Sequence, residues 1–444
     1  MKVAVLGGGT AGFMAALHLT KTFPSFDLYH IYDPSIPTIG VGEGTTPDVQ
    51  HWLHEMTGVD SELLQQRCHM TRKYAIRFEN WGPSHPLFMH NFYPVGQEYA
   101  YHFAADELVK LLQEYVVAQQ ISKRVDEIVS DGVSATIVFA DDSSLQVDFV
   151  FDARGFPPLV EEEHLLQSAI PTNAALIRQG PPTAYQRATR SVARPHGWVF
   201  IIPLLHRTAY GYIYNNTINT PADIEEDLAA FLQTEGVPIK GEPRQLTFPN
   251  FISRSFFDGT VFKIGNRASF FEPLEATSIS FTLTQLRVAS RWPLSLMASS
   301  GQKPALSEHN IATVNRYLYN YGRRLAFFIG WHYAQGAQWN SPFWHFAQSN
   351  FEKAWTEETN QDVREEFQHF WQNALSFPHP VLAPDNFAAA IESLFAAIRD
   401  SEMQEQTKLF PRQRNDSKFG LFSTLSFAEV GQGMHYQEVA PSTT

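Results

Sequence analysis

The sequence predicts an α/β fold, because the chain opens with a strand, a glycine turn and a helix in that order. The β-branched run 2–6 leads into Gly7, Gly9 and Gly12, which fill the pattern G-x-G-x-x-G. The segment 13–19 is helical in composition and in the spacing of its apolar residues. This order of elements predicts a Rossmann-like βαβ unit.

Each glycine has a physical task in such a turn. The first allows a tight turn, the second lets a pyrophosphate approach the backbone, and the third lets the helix pack on the strand. Thr10 and Ala11 open the helix, whose N-terminus favours phosphate. A second strand, 28–32, ends at Asp33, about 20 residues past the glycines, where a ribose hydroxyl needs an acceptor. These features predict a dinucleotide site; a glycine turn that binds nothing is the alternative.

Composition narrows the class of protein. The 444 residues carry a formal net charge of −13, so we expect no nucleic acid partner. No uninterrupted apolar run reaches about 18 residues and none precedes the first strand, so we expect no membrane span and no signal peptide. Cys68 is the only cysteine, which fits a reducing cytoplasm. His51 and His54 lack a third ligand in sequence, so we expect no metal site.

Later segments favour FAD as the dinucleotide. The aromatic segment 101–103, an amphipathic helix and the segment 123–129 lead to two alternating strands that end at 152–155. This order resembles the middle of the large flavoprotein monooxygenase class, and 261–266 resembles the ribityl-binding turn of that class. The resemblance implies an FAD-binding domain with these contacts: Val125 beside adenine, Asp152 and Gly155 at the closing turn, and Gly265 and Asn266 at the ribityl chain.

Three further segments narrow the chemistry. The segment 39–47 resembles the G-V-G-E loop of the flavin-dependent tryptophan halogenases, a strap over the FAD. The segment 72–81 resembles the family segment with the essential lysine, and 271–279 resembles the segment with the essential glutamate and the halide site. The resemblance implies that Lys73 and Glu275 are catalytic. It also implies FAD contacts from Ile39, Gly40, Val41, Gly42, Glu43, Gly44 and Ile279, and halide contacts from Thr277 and Ser278.

Weaker matches extend the resemblance towards the end of the chain. The segment 196–203 resembles the family's W-x-W-x-I-P, with Phe200 where a second Trp is usual, and Ser278 stands where glycine is common. The segment 90–92 resembles an H-x-F segment of the substrate pocket, and 332–344 and 426–433 resemble C-terminal segments. These matches imply substrate contacts from His90, Phe92 and Phe427.

The resemblance implies a defined reaction. Reduced FAD reacts with molecular oxygen to give a C4a-hydroperoxide, chloride or bromide attacks it to form hypohalous acid, and Lys73 binds or polarises that acid. An electron-rich ring, such as the indole of tryptophan, takes the halogen, and Glu275 removes the ring proton or stabilises the cation. No second G-x-G-x-x-G exists for NAD(P)H, so a separate NAD(P)H-dependent flavin reductase is the expected partner. The oligomeric state is open, a homodimer included.

Each assigned residue has a structural alternative. Lys73 precedes an apolar segment, where a desolvated amine is more often neutral and nucleophilic; as a plain strand lysine it would reach solvent. Glu275 without chemistry would offset a helix dipole. Trp198 and Phe200 share one face of a strand and would simply pack. Phe92 would do the same in the core.

The predicted domain organisation interleaves two parts in sequence. We expect a discontinuous FAD-binding module, a substrate-side sheet, and a mostly helical C-terminal part over the substrate pocket. Their ranges are 1–80, 100–160 and 255–300 for the module, 81–99 and 165–250 for the sheet, and 301–444 for the helical part.

Two other functions stay open at this point. An FAD-dependent aromatic monooxygenase keeps the fold but needs neither Lys73 nor Glu275, and a non-catalytic FAD-binding protein keeps the fold without turnover. The halogenase interpretation makes a geometric prediction that the others do not. The Lys73 and Glu275 side chains converge in one cavity, on the far side of the strap 40–47 from the oxygen chemistry at the flavin.

Overall fold

The computed structural model describes the chain as far as residue 368, with short gaps. The described residues are 1–36, 40, 42–82, 87–92, 97–184, 187–239, 241–300, 306–365, 367 and 368. Three predicted site residues, Ile39, Val41 and Phe427, lie outside the described residues.

The described residues form strands and helices in the following order along the chain. The strands are β1 (Lys2–Leu6), β2 (Asp27–Ile31), β3 (Glu43–Gly44), β4 (Thr71–Lys73), β5 (Ala75–Glu79), β6 (Leu87–Asn91), β7 (Ala100–Phe103), β8 (Gln119–Ile121), β9 (Val125–Ser130), β10 (Ala135–Phe139), β11 (Ser144–Val147), β12 (Phe149–Asp152), β13 (His164–Leu166), β14 (Ala174–Gly180), β15 (Ala188–Arg194), β16 (Gly197–Pro203), β17 (Thr208–Tyr214), β18 (Arg244–Thr247), β19 (Phe251–Ser253), β20 (Val261–Lys263) and β21 (Ser269–Phe270). The α-helices are α1 (Thr10–Thr22), α2 (Pro47–Thr57), α3 (Ser61–Cys68), α4 (Ala105–Gln113), α5 (Pro221–Thr234), α6 (Thr277–Ala289), α7 (Ser295–Ser300), α8 (Glu308–Ala334) and α9 (Pro342–Glu357).

A parallel sheet carries the glycine turn, with its five strands in the order β20-β12-β1-β2-β8. Val3 and Val5 pack with Phe13 of α1, whereas Ala4 and Leu6 pack on the small sheet of β9 to β11. A strand buried on both faces needs apolar residues throughout, which explains the apolar run of β1. The turn therefore lies at the carboxyl end of a central strand, and the predicted βαβ opening is confirmed.

A second sheet has seven strands in the order β18-β14-β17-β16-β15-β5-β6. Its neighbours are antiparallel except β15 and β5, which run parallel. The face with Val199 and Tyr212 packs with α5, and the opposite face, with Trp198 and Phe200, joins the main core. β5 belongs to this sheet although it lies in the range 1–80. The predicted domain ranges themselves stay a prediction.

A small sheet of three strands, β3-β7-β4, links the strap to the segment of Lys73. β7 lies in the middle and is antiparallel to both neighbours, so that Glu43 pairs with Phe103 and Lys73 pairs with Ala100. All residues of β7 are buried. One buried strand therefore fixes the spacing between two segments that are far apart in sequence.

Helices dominate the described chain after residue 306. α8 packs on α6 and α9, and the ring of Phe281 stacks on that of Tyr321 with centroids 5.1 Å apart. The C-terminal half of α8 is largely buried, with Tyr333 in the main core and His332 stacked on Phe78 of that core. The α/β fold class with a helical C-terminal part is confirmed. In the described part of the chain, no helix is long and apolar enough to cross a membrane.

Candidate active site

The glycine turn leaves open space at its second glycine. A Cβ on Gly7 would lie 2.3 Å from the carbonyl oxygen of Ala153, and one on Gly12 would lie 2.0 Å from that of Gly7. A Cβ on Gly9 would meet no described residue within 4 Å. α1 begins at the next residue, with no acidic side chain in its first turn and no side-chain cap. The open helix N-terminus fits the pyrophosphate of FAD.

Two other predicted FAD segments lie at the same turn. A Cβ on Gly265 would lie 2.6 Å from the Cβ of Ala11, so the predicted ribityl turn packs against the start of α1. Asp33 directly follows Tyr32, whose ring borders Gly8. The turn, the predicted ribose acceptor and the predicted ribityl segment are therefore neighbours in space.

Asp152 is held by two arginines. Arg154 donates from Nε and Nη2 at 2.9 Å each, and Arg267 donates from Nε at 3.0 Å. Burial would raise the pKa of this carboxyl, but the arginines outweigh burial and keep the pKa below its ordinary value. The carboxylate is already paired with these arginines. Its FAD contact stays a prediction, as do those of Val125, Gly155, Asn266 and Ile279.

Lys73 is buried beside the strap. Its Nζ donates to the carbonyl oxygen of Thr45 at 3.1 Å, and a Cβ on Gly44 would lie 3.3 Å from that Nζ. The centroid of the Phe92 ring lies 5.4 Å from Nζ. The exposed fraction of Lys73 is 0%, so the alternative of a lysine that reaches solvent is wrong.

The buried lysine has an unusual proton affinity. Burial lowers the pKa of Lys73 to about 7, and the charge of Glu275 opposes that shift only in part. His102, on β7, is also buried, and burial together with the charge of Lys73 holds the pKa of His102 well below its ordinary value. Near neutral pH a substantial share of the amine is therefore unprotonated and nucleophilic.

Glu275 lies between two histidines. Nδ1 of His90 lies 2.9 Å from Oε2, and Nε2 of His332 lies 2.7 Å from Oε1. The second distance is that of an ion pair, although its angle lies outside the range of a hydrogen bond. Burial would raise the pKa of Glu275, but the two histidines outweigh burial and lower it to about 2. Glu275 is therefore a buried, ionised carboxylate.

The strap brings the two predicted catalytic residues together. Gly44 borders the Nζ of Lys73 and also the Cβ of Ala276, the neighbour of Glu275 in sequence. The charge of Glu275 acts on the pKa of Lys73, which requires that the two groups lie close. The convergence of the two side chains therefore agrees with the predicted geometry. Their placement relative to a flavin stays a prediction.

The predicted halide site lies at the start of α6. Ala276 has a left-handed φ of +56°, and α6 begins at Thr277 without an acidic residue in its first turn and without a side-chain cap. The Thr277 hydroxyl is buried and has no hydrogen-bond partner among the described residues. Ser278 donates its hydroxyl to the carbonyl oxygen of Phe271 at 3.2 Å. An unpaired hydroxyl at a helix N-terminus fits an anion.

The unusual Phe200 has a packing partner. Trp198 and Phe200 are buried on one face of β16, with ring centroids 6.4 Å apart. Phe200 lies across from Gly211, where a Cβ would come 2.1 Å from the Phe200 ring. The ring therefore occupies space that only glycine leaves free. Packing of both rings is confirmed.

Within the described ranges, one group of potential metal ligands lies near the surface. The ligand atoms of His69, Glu107 and His206 lie within 4.8 Å of one another. His69 pairs with Glu107 at 2.9 Å, and Arg207 donates to Nε2 of His206 at 3.2 Å. These contacts account for the cluster, and the guanidinium disfavours a further cation. The expected absence of a metal site stays a prediction.

The sequence did not reveal what holds the acids of the segment 271–279. His332 lies in a segment with only a weak resemblance to the family, and no motif role falls on Glu272. Their contacts join α8 to a turn that is distant in sequence, so no local pattern marks them. Two acids in a segment otherwise poor in charge were the available signal.

The chain matches the family model for tryptophan halogenase over residues 2–99 and 95–395. It belongs to the tryptophan halogenase family. This halogenase-family chain is 24% identical to the tryptophan 7-halogenase RebH of Lentzea aerocolonigenes, over 90% of the chain and 95% of that protein. It is 25% identical to the 7-chloro-L-tryptophan 6-halogenase KtzR of Kutzneria sp. (strain 744), over 63% of the chain and 70% of that protein.

Solved structures share the fold of this halogenase-family chain. The tryptophan halogenase from Shewanella frigidimarina NCIMB 400 has a TM-score of 0.75 at 20% identity, covering 100% of this chain and 90% of that one. The flavin-dependent halogenase Xcc4156 from Xanthomonas campestris has a TM-score of 0.72 at 20% identity, covering 98% and 88%. The predicted family, fold class and enzyme class are confirmed. The roles of single residues stay predictions.

Burial of Lys73 predicts how stability depends on pH. The folded state releases the lysine proton near pH 7, whereas the unfolded chain holds it up to about pH 10.5. The penalty for burying the amine is therefore complete below pH 7 and vanishes as the pH rises to about 10.5. We expect Lys73→Met to gain stability over wild type at pH 7, on the order of a few kcal/mol, and to lose that gain by pH 10.

Chemical denaturation at the two pH values measures this difference. The matched control is Lys353→Met, at an amine whose side chain is 72% exposed and for which no such dependence is expected. Equal responses of the two variants to pH would contradict the burial of an unprotonated amine at Lys73.

Proposed function

We propose that the chain is an FADH2-dependent halogenase that chlorinates or brominates an electron-rich aromatic ring, such as an indole. One observation carries the proposal. A lysine amine with a pKa near 7 and an ionised glutamate are buried together beside Gly44, in the segment that resembles the flavin strap. Neither a monooxygenase nor a non-catalytic FAD-binding protein needs this pair.

Bound reduced FAD would supply, with molecular oxygen, the oxidising equivalents that turn halide into hypohalous acid and water. The glycine turn at Gly7, Gly9 and Gly12 would hold its pyrophosphate, and Asp33 would accept from its ribose. The strap residues, which include Gly40, Gly42 and Glu43, would cover it. The open space at Gly9 and the free helix N-terminus support this arrangement.

Lys73 would hold the hypohalous acid. Its unprotonated amine can accept the halogen in a haloamine, and its protonated form can donate a hydrogen bond that polarises the acid. With a pKa of about 7, both forms are available near neutral pH. Burial against Thr45 and Phe92 keeps water away from a reactive halogen.

Glu275 would act on the aromatic ring. When the halogen bonds to a ring carbon, the ring becomes cationic, and a buried carboxylate stabilises that charge more strongly than an exposed one. The carboxylate then takes the ring proton, and the oxygen of the hypohalous acid leaves as water. The low pKa of Glu275 keeps it ionised for both tasks.

The halide would bind at the N-terminus of α6. The hydroxyl of Thr277 and the backbone N–H groups of Thr277 and Ser278 are the proposed donors. The side chain of Ser278, where relatives commonly have glycine, donates to Phe271 and is turned to the backbone. Chloride and bromide both fit such donors.

His90 and Phe92 would form the substrate wall. Phe92 lies over Lys73 and His90 contacts Glu275, so a ring stacked there would face both groups. Relatives are named tryptophan halogenases, which favours an indole. Free tryptophan and a tryptophan-containing peptide both present that ring. A cytoplasmic location and a homodimer also stay predictions.

Loss of the lysine or the glutamate should slow halogenation strongly without loss of the cofactor. We expect Lys73→Met and Glu275→Gln each to lower the rate by about 10²- to 10⁴-fold, the usual range for a lost acid–base group. The measurement is mass spectrometry of an indole, phenol and pyrrole panel with FAD, a flavin reductase and either halide. FAD binding is followed in parallel and should persist.

The control pair is Lys353→Met and Glu357→Gln, which are exposed residues of the same types and should keep the wild-type rate. A hydroxylated, halide-independent product that survives in Lys73→Met would contradict the proposal and favour a monooxygenase. FAD binding without any product across the panel would favour a non-catalytic protein.

Electrons should come from a separate reductase. The sequence contains no second G-x-G-x-x-G for NAD(P)H, so NADH added to the FAD-loaded protein should leave the flavin oxidised, as followed by flavin absorbance. Added flavin reductase should bleach the flavin. Rapid bleaching by NADH alone would contradict this part of the proposal.

A further inference from the structure

Two consecutive residues of α8 hold the two acids of one short turn. His332 contacts Glu275, with Nε2 2.7 Å from Oε1. Tyr333 donates its hydroxyl to Oε1 of Glu272 at 2.5 Å. Glu272 and Glu275 flank Pro273 and Leu274, and all four contact groups are fully buried. One helix therefore contacts both acids of the turn.

The contacts of His332 constrain its protons. Its Nδ1 lies 2.9 Å from the carbonyl oxygen of Phe328, and a carbonyl only accepts, so Nδ1 carries a hydrogen. The other ring nitrogen, Nε2, faces the carboxylate of Glu275 and lies 2.7 Å from Oε1, which is the distance of an ion pair. The imidazole is therefore held between a backbone carbonyl oxygen of its own helix and the carboxylate.

The position of His332 separates it from the substrate wall. Its ring stacks on Phe78 and meets Phe328 edge to face, with both centroid distances 5.1 Å. Its exposed fraction is 0%. His90 contacts the other carboxylate oxygen from β6, beside Phe92. His332 therefore contacts Glu275 from within the aromatic core, whereas His90 contacts it from β6.

We propose that His332 is the positioning residue for Glu275: it holds Oε1 from the aromatic core, so that Oε2, which His90 contacts, is directed towards the substrate side. The proposal rests on the proposed halogenation, in which Glu275 acts on the ring. It does not make His332 a catalytic residue, because His332 touches neither substrate nor cofactor in this arrangement.

Removal of His332 should change how Glu275 responds to pH. Among the residues that the structure describes, three charged or titratable groups face this carboxylate: Lys73 from β4, His90 from β6 and His332 from α8. Without the imidazole, burial raises the pKa of Glu275 with less opposition. The carboxylate is then protonated at higher pH, and a reaction that needs its ionised form loses rate there.

The first test is the pH dependence of halogenation in His332→Phe, with His332→Gln as the conservative variant. In His332→Phe we expect kcat to fall about 10- to 100-fold, the effect of a misplaced catalytic group, while KM changes little. The acid limb of the pH–rate profile, where activity falls as the pH is lowered, should move to higher pH. His332→Gln keeps a neutral donor, so it should recover part of kcat but keep the shifted limb.

Tyr333→Phe is the matched control. It removes a contact of the same helix with Glu272 and leaves the partners of Glu275 in place. The acid limb of the pH–rate profile of Tyr333→Phe should coincide with that of wild type. The proposal is overturned if His332→Phe keeps the wild-type kcat and limb, or if Tyr333→Phe shifts the limb equally.

A second readout does not depend on turnover. Infrared difference spectra of the FAD-loaded protein against Glu275→Gln isolate the protonated-carboxyl band of Glu275. The band should appear at higher pH in His332→Phe and His332→Gln than in wild type; identical titrations would overturn the proposal. If wild type halogenates nothing, the proposed function fails, and this band still decides the role of His332. Should His332→Phe not fold, His332→Gln carries both measurements.

Discussion

Withdrawal of the Lys73 amine from water is the constraint on which the rest of this site depends. Burying an ammonium costs several kcal/mol. Burial therefore favours the neutral amine and lowers the pKa of Lys73 to about 7. The arrangement requires the strap to lie close, which Gly44 permits, and Thr45 to offer its carbonyl oxygen. β7 pairs with both segments and fixes their spacing.

The same short turn holds two glutamates whose pKa values are shifted in opposite directions. Burial raises the pKa of Glu272 to about 7, and the hydroxyls of Thr172 and Tyr333 oppose that shift only in part. Glu275 is equally buried, but two imidazoles lower its pKa to about 2. Two identical side chains of one turn thus differ in pKa because their partners differ.

Local patterns in the sequence predicted much of this arrangement. The glycine turn could be predicted because steric limits act within a few residues, and Lys73 and Glu275 could be predicted from segment resemblances. The contact of His332 with Glu275 could not, because it depends on how α8 packs on a distant turn. The Phe200–Gly211 pairing likewise depends on strand register, which no single segment encodes.

The titration of the Lys73 amine itself is the most direct test of this account. Nuclear magnetic resonance of protein with isotope-labelled lysine, assigned by comparison with Lys73→Met, follows that amine as the pH changes. We expect it to titrate near pH 7, far below the ordinary value of 10.5 for a lysine side chain. Titration of the Lys73 amine near its ordinary value of pH 10.5 would contradict the central claim that a buried, readily deprotonated amine lies beside the strap.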